Sequence, residues 1–209
     1  RRMTDAEMKR MVGEKIFNEF FPDRFYNHDA EDPDGITEME RTSHNEVVAI
    51  NRRAAESDLL IYVNINLVPM DGGHKSVGTG LANYDSLRFH HNPQTIRDTA
   101  SYMEPKTSKL HDSTSRIGRV IDKNLKVFHI EPTINNRMFE EPVGFLMKKE
   151  EDFTEFDRLK LQSFKYGLSK MPRAMKRKMF FNIFAPYEVT GVFAGATEPT
   201  HEKTLKMSW

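Results

Sequence analysis

Leu59-Leu60-Ile61-Tyr62-Val63, followed within ten residues by Gly72-Gly73-His74-Lys75-Ser76, sets an apolar run in front of a glycine turn and an amine. The order reads as a buried strand, a turn and a short helix, with Tyr84, Arg88 and the pair His90-His91 further on. Glycines at such a turn let backbone N–H groups approach a ligand, and a helix start favours anions. Lysine both binds phosphate and forms covalent adducts. Imidazole is a common ligand for nickel, zinc, copper or iron. A strand end, an amine and a metal ligand together predict a cofactor site.

Working outward, Glu46-Val47-Val48-Ala49-Ile50, Lys126-Val127-Phe128-His129-Ile130 and Tyr187 to Ala194 read as further strands. Arg52–Ser57, Tyr84–His91 and Ser113–Asp122 read as helical, the last with Ile117, Val120 and Ile121 facing inward, and Pro93–Thr107 reads as a helix with a loop. This alternation predicts an α/β fold: an open, mostly parallel sheet with flanking helices, Rossmann-like in kind. At the start, Thr4 and Glu7 have capping-box spacing, and the helix they open runs to Pro22. Phe25-Tyr26-Asn27-His28 reads as a short strand. Residues 137–180 are rich in Phe, Met, Lys and Glu, and predict a helical insertion within one domain spanning 1–209.

Composition bounds the function. Among 209 residues, 38% are hydrophobic and 30% charged, which describes an ordinary globular protein with a polar surface. The formal net charge is zero, so no global field gathers nucleic acid or anionic lipid. The basic run from Lys165 to Lys178 reads as a solvated helix face. With no cysteine, disulfides, thiolate metal sites and cysteine nucleophiles are excluded, and a cytoplasmic location is expected. No apolar run approaches the length of a membrane span. Arg1-Arg2-Met3 at one end and the polar stretch before Trp209 at the other read as the ends of a fragment.

Several patches in order resemble the N-terminal domain of lactate racemase and its relatives, the nickel-pincer-nucleotide enzymes. They are Arg1-Arg2-Met3-Thr4, Asn27-His28-Asp29, Ile50-Asn51-Arg52, Ser57-Asp58-Leu59, Gly72-Gly73-x-Lys75 with Tyr84, Arg88 and His91, and Val192-Phe193-Ala194-Gly195 with His201 beyond. The resemblance implies that Lys75 holds a nickel-pincer nucleotide covalently through a thioamide and that His91 ligates the nickel. The cofactor's own sulfur and carbon atoms supply the remaining ligands, so one imidazole suffices in a cysteine-free chain. It also implies an isomerase that racemises or epimerises a small 2-hydroxy acid by hydride transfer, with histidine bases taking the hydroxyl proton. By the same resemblance the first base belongs to a turn directly before Arg1, and the family's C-terminal domain lies outside these 209 residues. The second base belongs about ten residues before the lysine, where this chain reads Ile65-Asn66-Leu67-Val68. An amide is no base near neutral pH. A single-face oxidoreductase, or a non-catalytic relative that keeps the fold, is therefore the alternative.

The remaining candidates divide by chemistry. Gly72, Gly73 and Asp71 are the expected cofactor-binding residues around Lys75, Asp71 as the group that orients a cofactor hydroxyl. The turn is not a Walker A loop, because His74 separates glycine from lysine and the upstream glycine is missing. On a helix His90 and His91 would project about 100° apart, and the spacing to Lys75 favours His91 as the ligand, leaving His90 without a role. His28 is expected to hydrogen-bond backbone, and His111 and His129 to be structural. The expected partners are a 2-hydroxy acid and, for assembly, further copies of the chain, with neither nucleic acid nor membrane.

Overall fold

The computed structural model describes residues 2–135, 139, 142–182 and 187–208. The capping box at the start is formed: the Glu7 backbone N–H donates to Thr4 Oγ1, and the Thr4 N–H donates to the Glu7 carboxylate at 2.8 Å. Helix α1 (Asp5–Val12) is interrupted at Gly13 and resumes as α2 (Glu14–Phe20), ending before Pro22. Residues 25–28 are irregular rather than a strand. The His28 ring ties the segment down instead, meeting the Ala82 carbonyl and the Asn51 amide, each at 3.2 Å.

Strands β1 (Ile36–Arg41) and β2 (Val47–Asn51) form an antiparallel pair, with a bulge between Glu38 and Glu40. The first of these is legible only afterwards, because four of its six residues are charged or polar and Met39 alone turns to the core. Asn51 caps α3 (Arg52–Ala55) by accepting the Ala54 N–H. The second sheet has the order β3 (Leu60–Val63), β4 (Val127–Asn135), β5 (Glu188–Gly195). The parallel pairing expected throughout is found between β3 and β4, in register from Leu60 opposite Val127 to Val63 opposite Ile130. The architecture is α/β with two small sheets, not one broad parallel sheet.

Helices α4 (Gly73–Gly80) and α7 (Lys109–Asn124) pack against each other and against these strands. Val48, Ile50, Val77, Ile117 and Ile121 are fully buried between them, each contributing about 1.5–3 kcal/mol by burial. Leu60, Tyr62 and Val120 close the cluster from its rim. The two helices approach so closely at Gly118 that an added Cβ would lie 2.7 Å from His74 Cα. The run from Leu59 is not a buried strand. Tyr62 faces the core, but Ile61 and Val63 are 55% and 63% exposed, so β3 is covered on one face only.

Between α4 and α7 lie α5 (Tyr84–Leu87) and α6 (Pro93–Arg97). Later in the chain come α8 (Glu155–Lys170), α9 (Arg173–Asn182) and α10 (Thr197–Ser208). The chain divides into two compact units, Arg1–Pro132 with Val192–Trp209, and Thr133–Gly191. In the second unit α8 opens with its own capping box, Thr154 and Asp157, and Asp157 also takes the Lys148 ammonium at 2.7 Å. Phe145 stacks edge-on against Phe153 beside it. Among the described residues no helix is long and apolar enough to cross a membrane.

Candidate functional site

Strand β3 leads through Asn64 to Asn66 and the turn into α4, which begins at Gly73. Gly72 and Gly73 both hold positive φ, +89° and +56°, which favours glycine strongly. Their second reason is crowding. A Cβ on Gly72 would sit 2.6 Å from Asn66 Nδ2 and 2.7 Å from His201 Nδ1, and one on Gly73 would sit 2.7 Å from His201 Cδ2. The imidazole of His201, on α10, therefore lies flat against the turn.

The turn's donors are already occupied. Gly72 N–H donates to Ser76 Oγ at 2.8 Å, and Gly73 N–H donates to Glu131 Oε1 at 2.7 Å. The anion at this helix start is thus a side chain of the protein itself. Glu131, on β4, is fully buried and gathers further donors: Asn66 Nδ2 at 2.9 Å, Thr204 Oγ1 at 2.7 Å and His201 Nδ1 at 3.3 Å, all to Oε2. His129 Nδ1 lies 3.3 Å from Oε1 without hydrogen-bond geometry. Burial works to raise the pKa of Glu131. The contacts from His129, His201, Gly73 and Thr204 outweigh it and hold the carboxyl far below the usual glutamate range. One ionised carboxylate thereby joins the end of β3, the start of α4 and the body of α10.

Lys75 follows one half-turn into α4. Its side chain is 19% exposed and its ammonium lies 3.9 Å from Asp71, a loose pairing. Asp71 serves the turn first, its Oδ2 accepting the N–H groups of Leu67 and Val68 at 3.2 and 3.3 Å. Lys75 opens into a cleft of about 550 Å³ lined also by Gly72, His74, His111, Arg119 and His201. The positive charges there are partly spoken for: Arg116 binds Glu46 through two bonds of 2.6 and 2.8 Å, and Arg119 faces Glu198 at 3.5 Å. His74 turns inward to Asp122 at 2.8 Å.

His90 and His91 do not lie on a helix. Beyond Leu87 the chain turns, Asn92 collecting the Arg88 and Phe89 carbonyls before Pro93, and the two rings meet with Nδ1 atoms 2.7 Å apart. His90 is fully buried and its Nε2 has no partner, whereas His91 is exposed. Burial first, then the neighbouring charges of His91 and Lys75, pushes His90 down to about 4. His91 is lowered by burial and by Lys75, and His111 chiefly by burial. Lys75 is therefore within electrostatic reach of His91, although His91 is not among the cleft-lining residues. Tyr84 and Arg88 stand exposed on the intervening segment.

Of the residues singled out in the sequence, the structure brings Asp71, Gly72, Gly73 and Lys75 to one turn and leaves His91 outside the residues that line the cleft. His28 bonds backbone as expected, and His129 is buried. His111, expected to be structural, is a cleft residue as well as a ring bonded to the Tyr102 carbonyl. Glu131 is the group that sequence reasoning missed. Its signal was a lone carboxylate inside the apolar run that continues from Lys126.

These features define an α/β domain in which a parallel strand pair leads to a glycine turn fastened by a buried carboxylate, and the lysine that follows lines a cleft. Residues 1–104 match the family model described as the lactate racemase N-terminal domain. The lactate racemase apoprotein from Thermoanaerobacterium thermosaccharolyticum superposes with a TM-score of 0.63 at 17% identity, over 99% of this chain and 38% of that one. A protein from Thermotoga maritima superposes with a TM-score of 0.57 at 14% identity, over 100% of this chain and 44% of that one. The likeness is one of fold, and the chain spans less than half the length of either structure. No curated protein matches it.

Proposed function

We propose that this chain is the cofactor-holding part of an isomerase that racemises or epimerises a 2-hydroxy acid, with a nickel-pincer nucleotide attached at Lys75 and nickel ligated by His91. The observation that carries the reading is the pairing of a cleft lysine with an imidazole whose protonation partial burial and that lysine disfavour. Among the described residues no cluster of three or more metal-binding side chains exists. A single protein imidazole suits a metal whose other ligands arrive with an organic group. When bound, the group supplies a hydride acceptor and its metal.

The residues' own contributions follow from their contacts. Lys75 offers the amine that forms the covalent link. Asp71, 3.9 Å away, and the cleft wall hold that amine in place. The 2.7 Å contact to His90 fixes the His91 ring. With the shared proton on His91 Nδ1, the lone pair at His91 Nε2 is free for nickel, and His90 then carries its proton on the buried Nε2. A cytoplasmic location belongs to the same proposal, on the cysteine-free composition.

A second reading, a single-face oxidoreductase or non-catalytic relative, is favoured by Asn66. Its side chain is buried and bound to Glu131, so no proton acceptor stands at that point of the chain. Mass spectrometry of the full-length protein, co-expressed with cofactor-making enzymes, separates the readings. An adduct on Lys75 with stoichiometric nickel supports the first, Lys75→Ala losing both and His91→Ala losing nickel alone. An unmodified mass under those conditions refutes it.

A further inference from the structure

Three imidazoles line the cleft, those of His74, His111 and His201, and His201 is the one seated on the glycine turn. His201 lies against the glycine turn, two residues from Lys75, and lines the same cleft. Its Nδ1 faces Glu131 Oε2 at 3.3 Å. Because that carboxylate is buried among donors and ionised, it accepts, and the proton between them sits on His201 Nδ1. The lone pair is then on Nε2, which among the described residues has no hydrogen-bond partner and is not one of the buried unpartnered atoms. An imidazole aligned by a buried carboxylate through one nitrogen, on a residue that lines a cleft, is the arrangement of a proton-transfer group.

We propose that His201 is the proton-transfer residue of the Lys75 cleft and that Glu131 is its positioning residue. The inference rests on the proposed function for its substrate, a 2-hydroxy acid. His201 Nε2 would take the hydroxyl proton, and the group held at Lys75 would supply, when bound, the pyridinium-type two-electron acceptor for the hydride that leaves the Cα–H bond. The carbinol carbon is oxidised by two electrons to a carbonyl and the acceptor is reduced by two. Return of hydride to carbon and of the proton from Nε2 to oxygen restores the hydroxy acid. Asn66, beside the same turn, contributes no proton. Its amide donates to Glu131, and so helps to fix the carboxylate that orients His201.

Two measurements on the full-length protein test this. The first needs no cofactor: ¹⁵N NMR of histidine-labelled protein, with the ring in its neutral form, should show His201 protonated at Nδ1. The preference should weaken in Glu131→Gln. The opposite tautomer in the wild type overturns the proposal, whatever the fate of Glu131→Gln, which loses several buried contacts. The second uses protein carrying the Lys75 adduct and nickel, with D-lactate as probe. His201→Gln should lower kcat about 10²- to 10⁴-fold with adduct, nickel and thermal stability retained. An unchanged kcat overturns the role of His201 while leaving the proposed function standing. Absence of any adduct in the wild type refutes the function itself, and with it the substrate assigned to His201.

Discussion

At the scale of single residues, Glu131 decides more of the local structure than any residue of the Gly-Gly-x-Lys motif. Replacing it with Gln keeps the volume but puts an amide where the Gly73 N–H and the Asn66 amide both donate. We expect Glu131→Gln to lose about 1–3 kcal/mol of stability, read from urea unfolding, from buried donors left unpaired. A variant within a few tenths of the wild type would mean that the donors find other partners. His90 is the complementary case. His90→Phe keeps a buried ring but removes the nitrogen that meets His91, so nickel retained per Lys75 adduct should fall about 10- to 100-fold, measured by metal analysis after dialysis. Undiminished nickel would show that the His91 ring needs no such partner. The motif itself was legible because glycine, lysine and histidine announce their chemistry by type. Glu131 was not, since nothing in a linear reading says that a strand glutamate meets a turn 58 residues earlier. His201 could be noticed only as part of a resemblance, and its contact with that carboxylate belongs to tertiary structure.

At the scale of elements, periodicity found the amphipathic helices and failed where side chains override it. Helix α7 was plain in Ile117, Val120 and Ile121, and two of the three are fully buried. Tyr84 to His91 was read as one helix, but the Asn92 side chain takes carbonyls at its end and Pro93 biases the residue before it away from helix. The segment Phe25–His28 is irregular where a strand is expected, held instead by the His28 ring, and the hairpin strand β1 is hidden by its charges. Two substitutions weigh the α4–α7 contact. Ile117→Ala, at a fully buried position, should cost about 2–5 kcal/mol in chemical denaturation. Gly118→Ala adds a methyl against the His74 backbone and should cost about 1–3 kcal/mol, with a displaced α4. A neutral Gly118→Ala would mean that the helices part without penalty, and the close approach would lose its explanation.

At the scale of the whole molecule, the two units carry separate acid-sensitive fastenings. In the first, Glu131 and Glu46 are both held below the ordinary carboxylate range. Burial opposes this in each case; Arg116, Thr42 and Ser113 overcome it for Glu46, and the donors of the turn overcome it for Glu131. In the second, Asp157 is lowered to about 2, chiefly by the Lys148 ammonium and then by the Thr154 cap. All three pKa values lie lower in the folded chain than in the unfolded one. Their contribution is therefore complete above the unfolded values near 4 and declines as pH falls towards the folded ones. Segment-resolved hydrogen exchange between pH 5 and pH 2.5 reads this directly, after correction for the intrinsic rate. Protection at the start of α4, along β4 through Glu131 and in α10 should decline together from about pH 4 downward, because one carboxylate fastens all three. The first turn of α8 should weaken over the same interval independently of them, since its cap draws on Lys148 and Thr154 alone. Glu131→Gln, having no charge to lose at that position, should flatten the decline in α4 and α10 and leave α8 unchanged. If α4 and α10 kept their wild-type pH dependence in that variant, the ionised carboxylate at their junction would not be what holds the lysine turn against His201.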